Sequence, residues 1–173
     1  MKTSWPGAGL SSRYIGCRRS PSIHSLQMSE EAGISEVGRN ELRDLLEHVL
    51  VELEGDERSG SVLRAAGFRL RLEVEDLDLV VRVDASDEGA QHIVWAFEKD
   101  DIGKPADFSL TMDSATMNAY LQGRESLVVA IAQGRVRWSG EARTPLVYLP
   151  VLRMLSEPYR RWVVQLHPHL ALG

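Results

Sequence analysis

Leu42, Leu45, Leu46, Val49, Leu50 and Leu53 recur three and four residues apart, the spacing that gathers side chains onto one stripe of a helix. Asn40 stands where it can cap that helix, and Gly55 where a left-handed residue would end it. The polar stretch up to about residue 67 reads as a connection. The period then drops to two. Phe68, Leu70, Leu72 and Val74 alternate with Arg69, Arg71, Glu73 and Glu75, predicting a strand with one dry and one wet face. After Asp76 the alternation resumes at Leu77, Leu79, Val81 and Val83, which predicts a hairpin partner with Val80 on the wet face. Ile93, Trp95 and Phe97 make a third strand, and Phe108, Leu110 and Met112 a fourth.

That fourth strand stops at Asp113, whose short carboxylate suits a helix N-cap. The helix it opens carries Met117, Tyr120 and Leu121 inward and ends at Gly123. Ser126 starts a short one with Leu127, Val128, Ala130 and Ile131, closed by Gly134. Arg135 to Ser139 reads as strand five, with Val136 and Trp138 on one face and the arginines on the other. Beyond it Pro145 and Pro158 sit where first helical turns tolerate them, while Pro150 should kink or divide the Leu149, Leu152 and Leu155 pattern. One-faced strands mixed with helices predict an α+β domain, a single sheet covered by helices on one side.

Composition adds a boundary to this picture. At 173 residues and 43% hydrophobic, the chain holds enough apolar material for one core and is short for two. Residues 1–28 carry Lys2, Arg13, Arg18 and Arg19 and no acid, a charge of +4 in a chain of net charge −5, so the remainder carries −9. We therefore divide the chain into a basic, disordered segment at 1–34, a folded domain at 35–166 and a C-terminal tail at 167–173. The first segment is open to three readings: a tail, an organelle transit peptide, or an upstream start with Met28 as the natural first residue. The lack of an apolar stretch after its positive charges speaks against a secretory signal. No run of eighteen apolar residues exists, so no stable membrane insertion is expected. Cys17 is the only cysteine, which excludes an intramolecular disulfide and fits a reducing, cytoplasmic setting.

From Ala106 to Gly140 the chain reads ADFSLTMDSATMNAYLQGRESLVVAIAQGRVRWSG. The strand beginning Ala106-Asp107, the helix ending Leu121-Gln122-Gly123-Arg124, Ala130 in the next helix, and Gly134-Arg135-Val136-Arg137-Trp138-Ser139-Gly140 resemble the sterol carrier protein type 2 (SCP2) family. The resemblance implies a single five-stranded mixed or antiparallel sheet with helices on one face and a hydrophobic tunnel between them. It implies lipid transport without covalent chemistry: fatty acyl chains, sterols or isoprenoid-like lipids, with no cofactor. The tunnel lining expected from it is Trp95, Phe97, Phe108, Leu110, Met112, Met117, Leu121, Val128, Ile131, Trp138, Leu149 and Leu152, with Arg124 or Arg135 at a mouth. Where the family usually carries Lys, Arg124 and Arg135 stand here, and Trp138 replaces a smaller aliphatic residue, which bears on cavity size.

Catalytic and metal chemistry find little support in the residues. No His-Glu-x-x-His or paired-cysteine spacing surrounds His24, His48, His92, His167 or His169, so neither a catalytic residue nor a native metal site is expected. His167 and His169 flank Pro168 and could catch a metal adventitiously. Gly7-Ala8-Gly9 lacks the strand and helix a dinucleotide loop needs. Nucleic-acid binding through Arg135, Arg137 and Trp138 is disfavoured, because alternation turns the ring away from both arginines and the −9 region repels phosphate. The alternative that stands is an enzyme or accessory factor using the same cavity to position a hydrophobic pathway intermediate.

Overall fold

The computed structural model describes residues 37–86, 92–97, 105–140 and 144–173. The basic segment expected at 1–34 lies outside them. The first helix, α1 (Arg39–Gly55), buries the whole Leu42 to Leu53 stripe. It starts one residue before Asn40: Gly38 is the cap, and its N–H donates to Glu41 Oε2 at 2.9 Å. Gly55 is not left-handed either, because the chain turns at Asp56 in an extended conformation and begins a second helix at once. That helix, α2 (Glu57–Ala66), corrects the polar connection expected here. Asp56 accepts from the Ser59 N–H at 2.8 Å, a cap that also holds its carboxyl below the usual range. Only Gly60 and Leu63 of α2 are buried, so its apolar signal was too sparse to read.

The five expected strands form one sheet: β1 (Arg69–Val74), β2 (Leu79–Asp84), β3 (Val94–Ala96), β4 (Phe108–Met112) and β5 (Arg137–Gly140), in the order β3-β2-β1-β4-β5. The central pair β1 and β4 is parallel and the other three pairs are antiparallel, so the sheet is mixed. Leu70 pairs with Phe108, Leu72 with Leu110 and Val74 with Met112. On the other flank they meet Val83, Val81 and Leu79. This register puts Leu70, Leu72, Val74, Leu79, Val81, Val83, Phe108, Leu110 and Met112 on one face, where α1 and the later helices cover it.

The hairpin between β1 and β2 takes a 3-10 turn, Glu75–Leu77, followed by Asp78 at φ 47°. Leu77 therefore belongs to the turn and not to the strand. Val80, assigned by alternation to the wet face, is buried too. At the other edge β5 begins only at Arg137, leaving Val136 buried in the bend before it.

After β4 come α3 (Ser114–Leu121), capped by Asp113 through the Thr116 N–H at 2.7 Å, and α4 (Leu127–Ala132). The last third is α5 (Thr144–Leu152) with Pro150 inside it, a 3-10 turn at Arg153–Leu155, and α6 (Ser156–Leu166), which packs against α1. The segment 167–173, read from sequence as a tail, returns to the body through a 3-10 turn at Pro168–Leu170 and buries Leu170. Asn118 and Gln122 donate to the Leu170 carbonyl at 3.2 and 2.8 Å, and the Leu172 N–H donates to Gln122 Oε1 at 2.8 Å.

Gly140 closes β5 opposite Phe108 at φ 137°, and a Cβ there would lie 2.8 Å from the Asp107 carbonyl oxygen. Gly140→Ala is expected to cost about 1–3 kcal/mol of stability, read as a lowered urea midpoint, because neither the backbone angle nor the space admits a methyl group.

Candidate functional site

Beneath α1 the sheet does not pack solid. A cavity of about 40 Å³ lies between Leu70, Leu72, Val81, Val83, Leu110 and Met112 of the strands and Leu46, Leu50, Met117, Tyr120, Leu121, Leu152 and Leu155 of the helical layer. A second, of about 30 Å³, lies toward α2 and Ile93. Leu50, Leu70, Val83, Leu152 and Leu155 belong to both walls, so the two voids are neighbours along the sheet. An apolar cavity of this kind stays dry, since a water inside would find no hydrogen-bond partner.

Of the residues expected to line a tunnel, Leu110, Met112, Met117, Leu121 and Leu152 line the first cavity. The aromatic ones do something else. Phe108 stacks between Trp138 and Tyr148, with ring centroids 4.7 and 5.0 Å away, and Phe68 closes the cluster. Trp95 and Ile131 pack at the margin of the core, and Phe97 lies under the Arg43 guanidinium at 5.1 Å. Val128 lies outside both cavities, 52% exposed on α4. The expected lining did not include Leu46, Leu50, Leu70, Leu72, Val81 and Val83. Their signal was the same inward stripe and alternation that defined α1, β1 and β2.

Val128 and Leu149 instead border an open groove of about 440 Å³ on the surface, beside Arg124, Arg153, Arg160, Ser126 and Ser156. Of the two arginines expected at a mouth, Arg124 lies in this groove and donates to the Leu172 carbonyl at 3.1 Å. Arg135 lies outside it, held by Glu125 and by Gln133. Glu125, the one carboxylate of the groove's lining, is thereby neutralised.

Tyr120 belongs to both the cavity and the groove. It is 8% exposed and its hydroxyl has no hydrogen-bond partner. Burial pushes that hydroxyl up to about 12, with the Arg153 charge opposing the shift.

The profile of the SCP-2 sterol transfer family matches residues 46–151, more than half of the chain. The chain belongs to the SCP-2 sterol transfer family. The solution structure of the sterol carrier protein domain 2 of Helicoverpa armigera shares this fold, with a TM-score of 0.50 at 12% identity, over 72% of this chain and 93% of that one. A UbiJ-SCP2 ubiquinone synthesis protein aligns with a TM-score of 0.43 at 16% identity, over 60% of this chain and 80% of that one. The sec-alkylsulfatase Pisa1 from Pseudomonas sp. aligns with a TM-score of 0.43 at 17% identity, over 56% of this chain but only 14% of its own length. No curated protein matches the chain in sequence. The SCP-2 assignment agrees with the resemblance carried by residues 106–140, and the mixed five-stranded sheet agrees with the architecture that resemblance implied. Among the described residues no helix is long and apolar enough to cross a membrane.

Tyr120 also gives the domain an alkaline limit. Its phenol ionises near 10 when unfolded and near 12 when folded, so above pH 10 the unfolded chain releases protons that the native one keeps. Tyr159, whose hydroxyl burial also raises, acts in the same direction. Stability is thus expected to be unaffected by these groups below pH 10 and to fall between about 10 and 12, with Tyr120→Phe flattening the fall in a series of urea titrations.

Proposed function

We propose that the protein binds and carries a hydrophobic small molecule in a space formed by joining its two dry cavities, with the ligand's polar end against the arginine groove. Membership of the SCP-2 family supports hydrophobic-ligand binding in general. The observation that supports the finer reading is the shared wall: Leu50, Leu152 and Leu155 of the helical layer line both voids, so a displacement of these side chains is what would join them along the sheet. At about 40 and 30 Å³ the cavities hold only a few water-sized groups, so a long ligand must displace the helical layer as it enters. The segment best suited to give way is α5, whose Pro150 removes one helical hydrogen bond and which ends in a 3-10 turn. Burial of about sixteen methylenes at roughly 0.8 kcal/mol each is on the order of 12 kcal/mol gross, enough to drive such a displacement and leave tight binding.

Carriage is favoured over catalysis by the lining. Among the described residues bordering the two cavities, Tyr120 is the sole ionisable one, and its raised pKa keeps it neutral at physiological pH. A neutral phenol beside three guanidinium groups suits a hydrogen bond to a polar end group, not proton transfer at an apolar chain.

The test is uptake of a fluorescent fatty acid by the purified chain and its displacement by unlabelled lipids, with native mass spectrometry to count bound molecules. Leu152→Phe and Leu155→Phe should fill the shared wall and weaken uptake by about tenfold or more while the domain stays folded. Wild-type protein that takes up neither acyl, sterol nor isoprenoid probes would refute carriage.

A further inference from the structure

The start of α1 and the turn after α6 bring together a set of side chains that lipid carriage does not use. Glu41 lies in the first turn of α1, and only its Oε2 is engaged by the Gly38 N–H. Its Oε1 faces outward to two imidazoles, 3.0 Å from His169 Nε2 and 3.6 Å from His167 Nδ1, and the three ligand atoms all lie within 4.8 Å of one another. Four ligands arranged tetrahedrally at the usual zinc–nitrogen and zinc–oxygen lengths stand about 3.3 Å apart, and the two distances from Glu41 to the histidines bracket that length. The rings of His167 and His169, on either side of Pro168, are perpendicular with centroids 5.9 Å apart.

The second nitrogen of His167 points the same way. Nε2 is closed off from solvent without a hydrogen-bond partner, 3.5 Å from Asp44 Oδ2. An ion on Nδ1 forces the ring proton onto Nε2, toward that carboxylate, which is the orienting contact that metal-bound histidines usually make. We propose that Glu41, His167 and His169 form a site for a divalent transition-metal ion, zinc by preference, with Asp44 as the positioning residue behind His167. Two imidazole nitrogens and one carboxylate suit zinc and its neighbours, whereas calcium and magnesium take oxygen ligands. Three protein ligands leave a fourth position to water. The ion would fasten the Pro168–Leu170 turn to the first turn of α1, the helix whose Leu46 and Leu50 roof the cavity.

Isothermal titration of the tag-free, EDTA-treated full chain with zinc chloride tests this directly. The expected result is one ion per chain and a raised Tm, and cobalt in its place should give the visible absorption of a tetrahedral site. His169→Ala, a change at a half-exposed side chain, should weaken zinc binding by about tenfold or more without lowering the Tm of the metal-free protein. Glu41→Gln should do the same, since its amide oxygen still accepts from Gly38. Lack of stoichiometric binding, or binding that His169→Ala leaves unchanged, overturns the site; the latter would place the ion elsewhere, for instance at Asp44 and His48, whose Oδ1 and Nδ1 are 3.5 Å apart. Should Glu41→Gln lower the metal-free Tm, His169→Ala decides alone.

Discussion

The parallel pairing of β1 with β4 is the constraint on which the rest of the domain depends. Parallel neighbours cannot be joined by a tight turn, so the chain must travel through β2 and β3 before it returns to lie beside its own first strand. Two contacts fix where it returns. Arg69 grips Asp107 through its backbone N–H and its guanidinium at one end, and Asp76 receives the Ser114 N–H and hydroxyl at the other, at 2.8 and 2.5 Å. Between them the register is set residue by residue, and a slip of one would turn Phe108, Leu110 and Met112 out to solvent. Because Asp76 holds the first residue of α3, the same pairing aims Met117, Tyr120 and Leu121 back over the sheet.

The helical layer then meets a face it does not fill. Phe108, Trp138, Tyr148 and Phe68 stack into a dense cluster toward one end, while leucines and valines dominate the middle and leave voids there. Flat rings stacked face to face use space closely, whereas branched aliphatic side chains on separate elements interlock only where their shapes happen to match. The aromatic cluster therefore gives rigidity and the aliphatic zone gives room. Tyr120 stands at the border of that zone and the arginine groove, with its ring in one and its hydroxyl under the influence of the other.

Much of this was legible along the chain. All five strands, α1, α3 and α4 followed from periodicity, most plainly α1, β1 and β4, which bury a regular face. The failures share a cause. The helix α2 buries just two positions, Leu77 was drawn into a turn by the left-handed Asp78, and Val128 continued an apolar run that the structure leaves in solvent. Aromatic residues stood among the expected tunnel walls, yet a cavity forms where neighbours fail to interlock, which depends on relations between elements distant in sequence. Asn118 and Gln122 were likewise invisible, since a buried amide makes sense only once the Leu170 carbonyl, 52 and 48 residues later, has been seen to need it.

That last contact bears on how the protein is made. Asn118 also accepts from the Tyr159 hydroxyl, and α1 has its packing partner in α6. The first helix and the central amides thus wait for groups that emerge from the ribosome after every strand has been synthesised. The nascent sheet presents its apolar face to the cell until then. Closure of the domain is an event that follows translation of residues 159 to 172, and until it occurs the half-made chain shows chaperones the apolar face that the finished protein covers with helices.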